Sequence, residues 1–278
     1  MAQNIFLEQN YSRSGKTYKI KSGEFKEKNI DKQFFCWLED PAQKLFKIPT
    51  KNNKDSYTIN FKTPEEGYHN LYTFYNCNVK NNTKYFIYSQ ANFRVFFMRG
   101  KPKGEQPPPG KTLQNLDNEN IANGKPLIYF ELLDKKNNKD STYRITGGIL
   151  PVKVYFKNNP IKNAKVTFIS EKKWQKSIMT NADGIAQFTI IRDSFENKIS
   201  KSMLGMADAM KCKILVEYKI NIKKKNYDQE VYKTSTILSI YPSPYDWYSR
   251  KTGYIIFVIS CLTICGFFIV IKAKGRRV

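Results

Sequence analysis

From Gly253 to Ile271 the chain carries no charged side chain, and the run ends only at Lys272. About 20 apolar residues rising 1.5 Å each match the ~30 Å hydrocarbon core of a bilayer. A helix is the single-segment solution there, because every backbone N–H and C=O must find its partner within the segment. Tyr245, Trp247, Tyr248 and Tyr254 gather at the leading edge, where amphipathic rings favour the lipid–water interface. Lys272, Lys274, Arg276 and Arg277 follow without an acid, against Arg250 and Lys251 in front. The positive-inside bias then puts Val278 in the cytoplasm and everything before the run outside. A helix buried in a soluble core is usually shorter and rarely ends in a basic tail. The sequence therefore predicts a juxtamembrane segment over 243–252, a single-pass transmembrane helix over 253–272 and a basic cytoplasmic tail over 273–278. The expected location is the cytoplasmic (inner) membrane, with the bulk of the chain in the periplasm.

An exported domain needs a signal, yet the chain opens Met1-Ala2-Gln3-Asn4 with no basic n-region or apolar h-region. Ala2 suits the last small residue of a cleavage site, so a processed chain is expected.

The residues before the anchor suffice for two domains of ~100–150 residues each. Aromatic residues make up 14% of the chain, and Tyr, Ile, Val and Thr recur in short runs punctuated by Gly and Pro. That pattern is β-rich. Strands are expected over 17–21, 44–48, 56–61, 72–79, 84–90 and 93–98, with turn clusters at Asn52-Asn53-Lys54-Asp55 and Lys80-Asn81-Asn82-Thr83. From Lys101 to Gly110 four Pro and two Gly break any helix or central strand, and the polar run to Lys125 has little to bury. Strands resume over 127–133, 148–156, 164–170, 176–180, 186–191, 213–222 and 234–241. Asn158-Asn159-Pro160 and Ala182-Asp183-Gly184 mark tight turns between them. The fold class read from this is all-β. Two Ig-like or transthyretin-like β-sandwiches, 1–100 and 127–242, stand in series across a Pro/Gly/Asn-rich connection at 101–126.

The formal net charge is +23, from 47 Lys and Arg against 24 acids. A field of that sign attracts anionic partners such as lipid headgroups. The lysines are scattered rather than striped and no nucleic-acid motif accompanies them, so no nucleic-acid partner is expected. Membrane lipid and integral-membrane proteins are the partners the sequence points to.

Catalysis is not expected. His69 is the only histidine, and no nucleophile elbow or H-E-x-x-H spacing occurs. Glu39 with Asp40 and Glu65 with Glu66 are adjacent carboxylates, which a strand points to opposite faces. No cofactor is implied. Of five cysteines, Cys261 and Cys265 lie in the anchor as apolar filler. Cys36 and Cys77 share the first half of the chain in an oxidising compartment, and a disulfide between them or two free thiols both fit the sequence. Met203, Met206 and Met210 recur at helical spacing and run into Cys212. Thioethers and a thiolate are soft donors suited to Cu(I), but a Met face serves core or interface packing as well, and packing is the preferred reading.

Ala2-Gln3-Asn4-Ile5-Phe6-Leu7-Glu8-Gln9, the stretch Gly124–Leu132, and the pair Asn159–Val166 and Thr180–Ala186 together resemble a periplasmic family of unassigned biochemistry. Its members open with a motif like Ala-His-Asp-Phe-Trp-Leu-Glu-Pro and are associated with nickel or cobalt uptake. The last pair also resembles carboxypeptidase-regulatory and transthyretin-like sandwiches. The resemblance implies metal handling for transport, but Gln3 stands where the family has histidine, and an amide is a poor nickel or cobalt ligand. The expected function is a non-catalytic accessory or scaffolding subunit of a membrane complex. Metal handling and an adhesin-like surface module are the alternatives.

Overall fold

The structure is a computed structural model describing residues 5–12, 15–22, 34–53, 56–61, 65–76, 79–95, 111–113, 121–133, 144–191, 209–241 and 253–266. In chain order the strands are β1 (Ile5–Ser12), β2 (Gly15–Ser22), β3 (Phe34–Glu39), β4 (Leu45–Lys47), β5 (Thr50–Asn53), β6 (Ser56–Phe61), β7 (Gly67–Asn76), β8 (Thr83–Val95), β9 (Lys111–Leu113) and β10 (Ile121–Ala122). They continue with β11 (Lys125–Pro126), β12 (Ile128–Leu132), β13 (Arg144–Ile145), β14 (Ile149–Phe156), β15 (Asn159–Pro160), β16 (Lys165–Ile169), β17 (Gln175–Met179), β18 (Ile185–Thr189), β19 (Met210–Lys224) and β20 (Tyr227–Tyr241). One helix, 253–266, follows.

The strands form layers around one large sheet. Its order is β17-β16-β19-β20-β8-β7-β3-β4-β9, with β13 beside the end of β20. A sheet of order β1-β2-β6-β5 covers one face, and a sheet of β12, β14, β15 and β18 covers the other. Period-2 side-chain alternation explains how β7 and β8 serve both faces. Leu71, Tyr75, Ile87 and Phe93 enter the core beneath Leu7, Ile59 and Phe61. Tyr72, Phe74, Phe86 and Tyr88 enter the second core, with Ile128, Phe130, Val152, Val154, Val166, Phe168 and Phe188.

The β class and the face-to-face packing are as expected. Where the sequence places two sandwiches in series across 101–126, strands from both sides of that segment meet in one sheet. Parallel pairing of β8 with β20 sets Thr83 against Gln229 and Ile87 against Lys233. Three polar side chains extend the joint. The Ser89 hydroxyl donates to the Ser235 carbonyl at 3.1 Å. The buried Gln90 amide acts as a surrogate peptide, donating Nε2 to the Phe130 carbonyl at 2.7 Å and accepting the Phe130 N–H at 3.4 Å. Trp37, fully buried, donates Nε1 to the Gly124 carbonyl at 2.7 Å.

Turn chemistry follows the sequence closely. Asn81 and Asn82 both take positive φ, as a two-residue hairpin between β7 and β8 requires, and Lys80 and Thr83 exchange backbone hydrogen bonds around them. At the β17–β18 turn Asn181 Oδ1 accepts the N–H groups of Asp183 and Ile185, and Gly184 sits at φ 75°. A Cβ at Gly184 would lie 2.8 Å from the Val154 carbonyl oxygen, which the backbone cannot yield cheaply. Gly184→Ala should therefore lower stability by about 1–2 kcal/mol through left-handed strain alone, and more through the clash. A chemical-denaturation midpoint unchanged from the parent protein would refute that.

Candidate functional site

Of the residues singled out from sequence, Met210, Cys212, Cys36 and His69 lie among the described residues. Met210 opens β19 instead of ending a helix, because from there the pattern Met-Lys-Cys-Lys-Ile-Leu-Val alternates buried and exposed with period 2. Met210 and Cys212 are both buried on one face of β19, within the core shared by β14, β16 and β18. Met203 and Met206 lie outside the described residues, as do Gln3 and Cys77. Cys36 is a free, buried thiol whose opposite residue on β7 is Thr73, and burial pushes its pKa up. His69 is a buried strand residue, its ring stacked on Phe93 at 5.4 Å and its Nδ1 3.2 Å from the Gly67 carbonyl. Among the described residues no three His, Cys, Asp or Glu side chains come close enough to hold a metal ion.

The adjacent carboxylates diverge as strand geometry demands. Asp40 caps the turn after β3 by accepting the Lys44 N–H at 2.7 Å. Glu39 instead accepts Asn70 Nδ2 at 2.9 Å and the Tyr72 hydroxyl at 3.4 Å. Nearby on the overlying sheet, Tyr155 donates to Glu131 at 3.2 Å, Lys125 lies 3.8 Å from Glu131, and Tyr129 stacks on Tyr155 at 4.9 Å. Burial first, then the Glu39 and Glu131 charges, raises the phenols of Tyr72 and Tyr129 well above the usual tyrosine value. Protonated phenols donate to these carboxylates and offer no base or nucleophile.

Sequence reasoning missed a second carboxylate centre at the β19–β20 hairpin. Glu230, buried, accepts Lys224 Nζ and the Tyr227 hydroxyl at 3.0 Å on Oε1, and the Tyr232 hydroxyl at 2.7 Å on Oε2. Burial alone would raise the Glu230 carboxyl, but hydrogen bonds from Tyr232, Lys224 and Tyr227 outweigh it and hold the pKa below its ordinary value. Phe86 stacks on Tyr232 at 4.7 Å, and Phe156 meets the same ring edge-on at 4.8 Å. The alternation in Tyr227-Asp228-Gln229-Glu230-Val231-Tyr232 puts Glu230 and Tyr232 on one face, the one local clue. With both oxygens occupied, Glu230 is a structural anchor for the hairpin.

The helix at 253–266 differs from every other element. All its side chains are exposed, and large apolar ones lie on every side, including Ile255, Ile256, Phe257, Val258, Ile259 and Leu262. Its Ser and Thr hydroxyls bond back to their own helix, Ser260 to the Ile256 carbonyl at 2.8 Å and Thr263 to that of Ile259 at 3.1 Å. The described helix is roughly 21 Å long at 1.5 Å per residue. Among the described residues no helix is long and apolar enough to cross a membrane.

No family model matches the chain, and no curated protein matches it. Among solved structures it is similar to a two fibronectin type-III domain segment from chicken tenascin, at 10% identity over 86% of this chain and 99% of that one, with a TM-score of 0.23. A likeness at that score carries no argument, and the fold rests on the chain's own sheets and cores.

Proposed function

We propose that the chain is a non-catalytic accessory subunit, held in the cytoplasmic membrane by one C-terminal transmembrane helix, that presents its β-sandwich fold to integral-membrane partners on the extracytoplasmic side. The observation that carries this reading is the helix at 253–266, apolar on all sides and exposed along its whole length. Such a helix belongs in a core or in lipid, and no core of the described residues takes it. The hydroxyls of Ser260 and Thr263 are already satisfied by its own backbone, as hydrocarbon demands. The uncharged sequence continues to Ile271, and a helix wound over the whole run would approach the ~30 Å a bilayer requires. Lys272, Lys274, Arg276 and Arg277 beyond it give the cytoplasmic C-terminus. Glu230, with both oxygens occupied by two phenols and a lysine, supports a scaffold in preference to an enzyme.

The full chain should stay with membranes through an alkaline wash, and external protease should digest the part before 253 while a tag at Val278 stays protected. Leu262→Arg, at the centre of the run, should weaken insertion by about 2.5–3.5 kcal/mol and release much of the protein into the wash. Parent protein that washes off with the variant refutes the anchor. For the accessory role, purification in mild detergent should bring down a stoichiometric integral-membrane protein. A solitary monomer would remove that role.

A further inference from the structure

We infer that the fold also sits directly on the bilayer, through a rim at one end of the sheets made of Leu133, Ile149, Trp174, Lys172 and Lys173. This rests on the membrane-anchor reading and assigns it an orientation.

Strand register identifies the end. The chain leaves β20 at Tyr241 for the helix that starts at 253. Fully extended, that stretch spans at most roughly 40 Å, so the Tyr241 end stays within reach of the surface in which the helix is embedded. Ile240 pairs with Met210 at the start of β19, and Lys213 pairs with Ile169 at the end of β16. The β16–β17 turn, Ser170–Trp174, is thereby placed at the Tyr241 end. At the end of β20 in the large sheet, Ile145 pairs with Tyr241 and the Thr146 N–H donates to the Tyr241 carbonyl, which brings the start of β14 in the covering sheet to the same end. Leu133 joins it by donating its N–H to the Pro151 carbonyl.

Outside the helix, the exposed large apolar side chains of the described residues are Val79, Leu133, Ile149, Trp174 and Met179. Leu133, Ile149 and Trp174 fall at the Tyr241 end, and Ile149 is 56% exposed although it begins a strand. Val79 precedes the β7–β8 turn at the far end, and Met179, which pairs with Lys165 and so lies level with Lys233, sits midway along β20.

Trp174 is presented by a fixed turn. Ser170 accepts its N–H on Oγ at 3.1 Å, the Ser170 N–H donates to the Trp174 carbonyl at 2.8 Å, and the indole meets Phe168 edge-on at 6.3 Å. Lys172 and Lys173 project from the same turn and are exposed. The acid there, Glu171, is committed to the Lys211 N–H at 3.1 Å, and Lys211 is itself exposed. Indole beside exposed lysines is the chemistry of the headgroup layer. Trp prefers the interface, and lysines near an anionic surface are drawn to it. The occupant is therefore an anionic bilayer, the one holding the helix.

The test uses the full chain reconstituted alone in vesicles of phosphatidylcholine and phosphatidylglycerol, with lipids brominated near the headgroup as quenchers. Trp247→Phe leaves Trp37, which is fully buried and silent to such quenchers, and Trp174. Bromination should abolish the Trp174 share of the emission, Trp174→Phe on that background should remove the quenching, and Lys172→Glu with Lys173→Glu should restore the emission. Protein that floats with the vesicles and resists alkaline wash but shows the same emission with and without bromination overturns the rim while leaving the anchor. Protein that does not float overturns the anchor and the rim together.

Discussion

Trp37→Ala should lower the unfolding free energy by about 3–5 kcal/mol, the range for removing a fully buried indole. Trp37 has no exposed surface, and its ring packs against Phe35 at 5.5 Å and Tyr72 at 5.4 Å. Its Nε1 reaches across the joint to the Gly124 carbonyl, so the substitution removes packing from the large sheet and a hydrogen bond from the segment that follows the connection. Trp37→Phe separates the two. It keeps most of the ring packing but leaves the buried Gly124 carbonyl short of a donor, a loss of about 1–3 kcal/mol. Equilibrium denaturation in mild detergent measures both. If the alanine variant lost no more than the phenylalanine variant, the indole would not be a core element.

Glu230→Ala should cost about 3–5 kcal/mol at neutral pH. It leaves the hydroxyls of Tyr227 and Tyr232 in a buried site without their acceptor. The part of this effect that comes from the carboxylate charge should be lost in acid. The Glu230 carboxyl is held below its ordinary value in the folded protein, so its contribution is complete above that value, near 4.5, and is lost as pH falls through the lower folded value. Glu217 behaves alike. Burial raises it, but Lys233 and Lys219, at 3.1 and 3.2 Å, more than compensate. Parent protein should therefore destabilise on acidification below about pH 4.5, whereas Glu230→Ala should show a shallower decline. Parallel stability–pH curves for the two proteins would mean that Glu230 does not carry this dependence.

Strands whose two faces differ are legible in the sequence, and β3, which lies between two cores, is not. β14, β16 and β18 alternate buried and exposed residues, and their positions follow from that pattern. β3, Phe-Phe-Cys-Trp-Leu-Glu, lies inside the large sheet with Trp37 in one core and Leu38 in the other, so it shows no alternation to detect. β8 is expected as two strands, 84–90 and 93–98, because Ala91-Asn92 interrupts its apolar run. Ser89 and Gln90 are buried polar residues whose partners, Ser235 and Phe130, lie in the other half of the chain. Glu230 escaped notice for a related reason. A lone carboxylate in a lysine-rich hairpin looks solvated until Tyr227 and Tyr232 close over it.

The parallel pairing of β8 with β20 also sets an order of events during synthesis. The partners at this joint are 146 residues apart, as between Ser89 and Ser235. A chain crossing the membrane N-terminus first delivers β8 long before β20, and until then one edge of β8 has backbone groups with no strand to receive them. Open edges of that kind template wrong pairings, and contacts of such long separation form slowly. β20 comes out immediately before the apolar run at 253–271, so in the proposed topology the sheet closes only as the chain is being fixed in the bilayer. Translocation and folding then finish together, and an arrest between residues 95 and 227 would leave an exported intermediate in need of a chaperone.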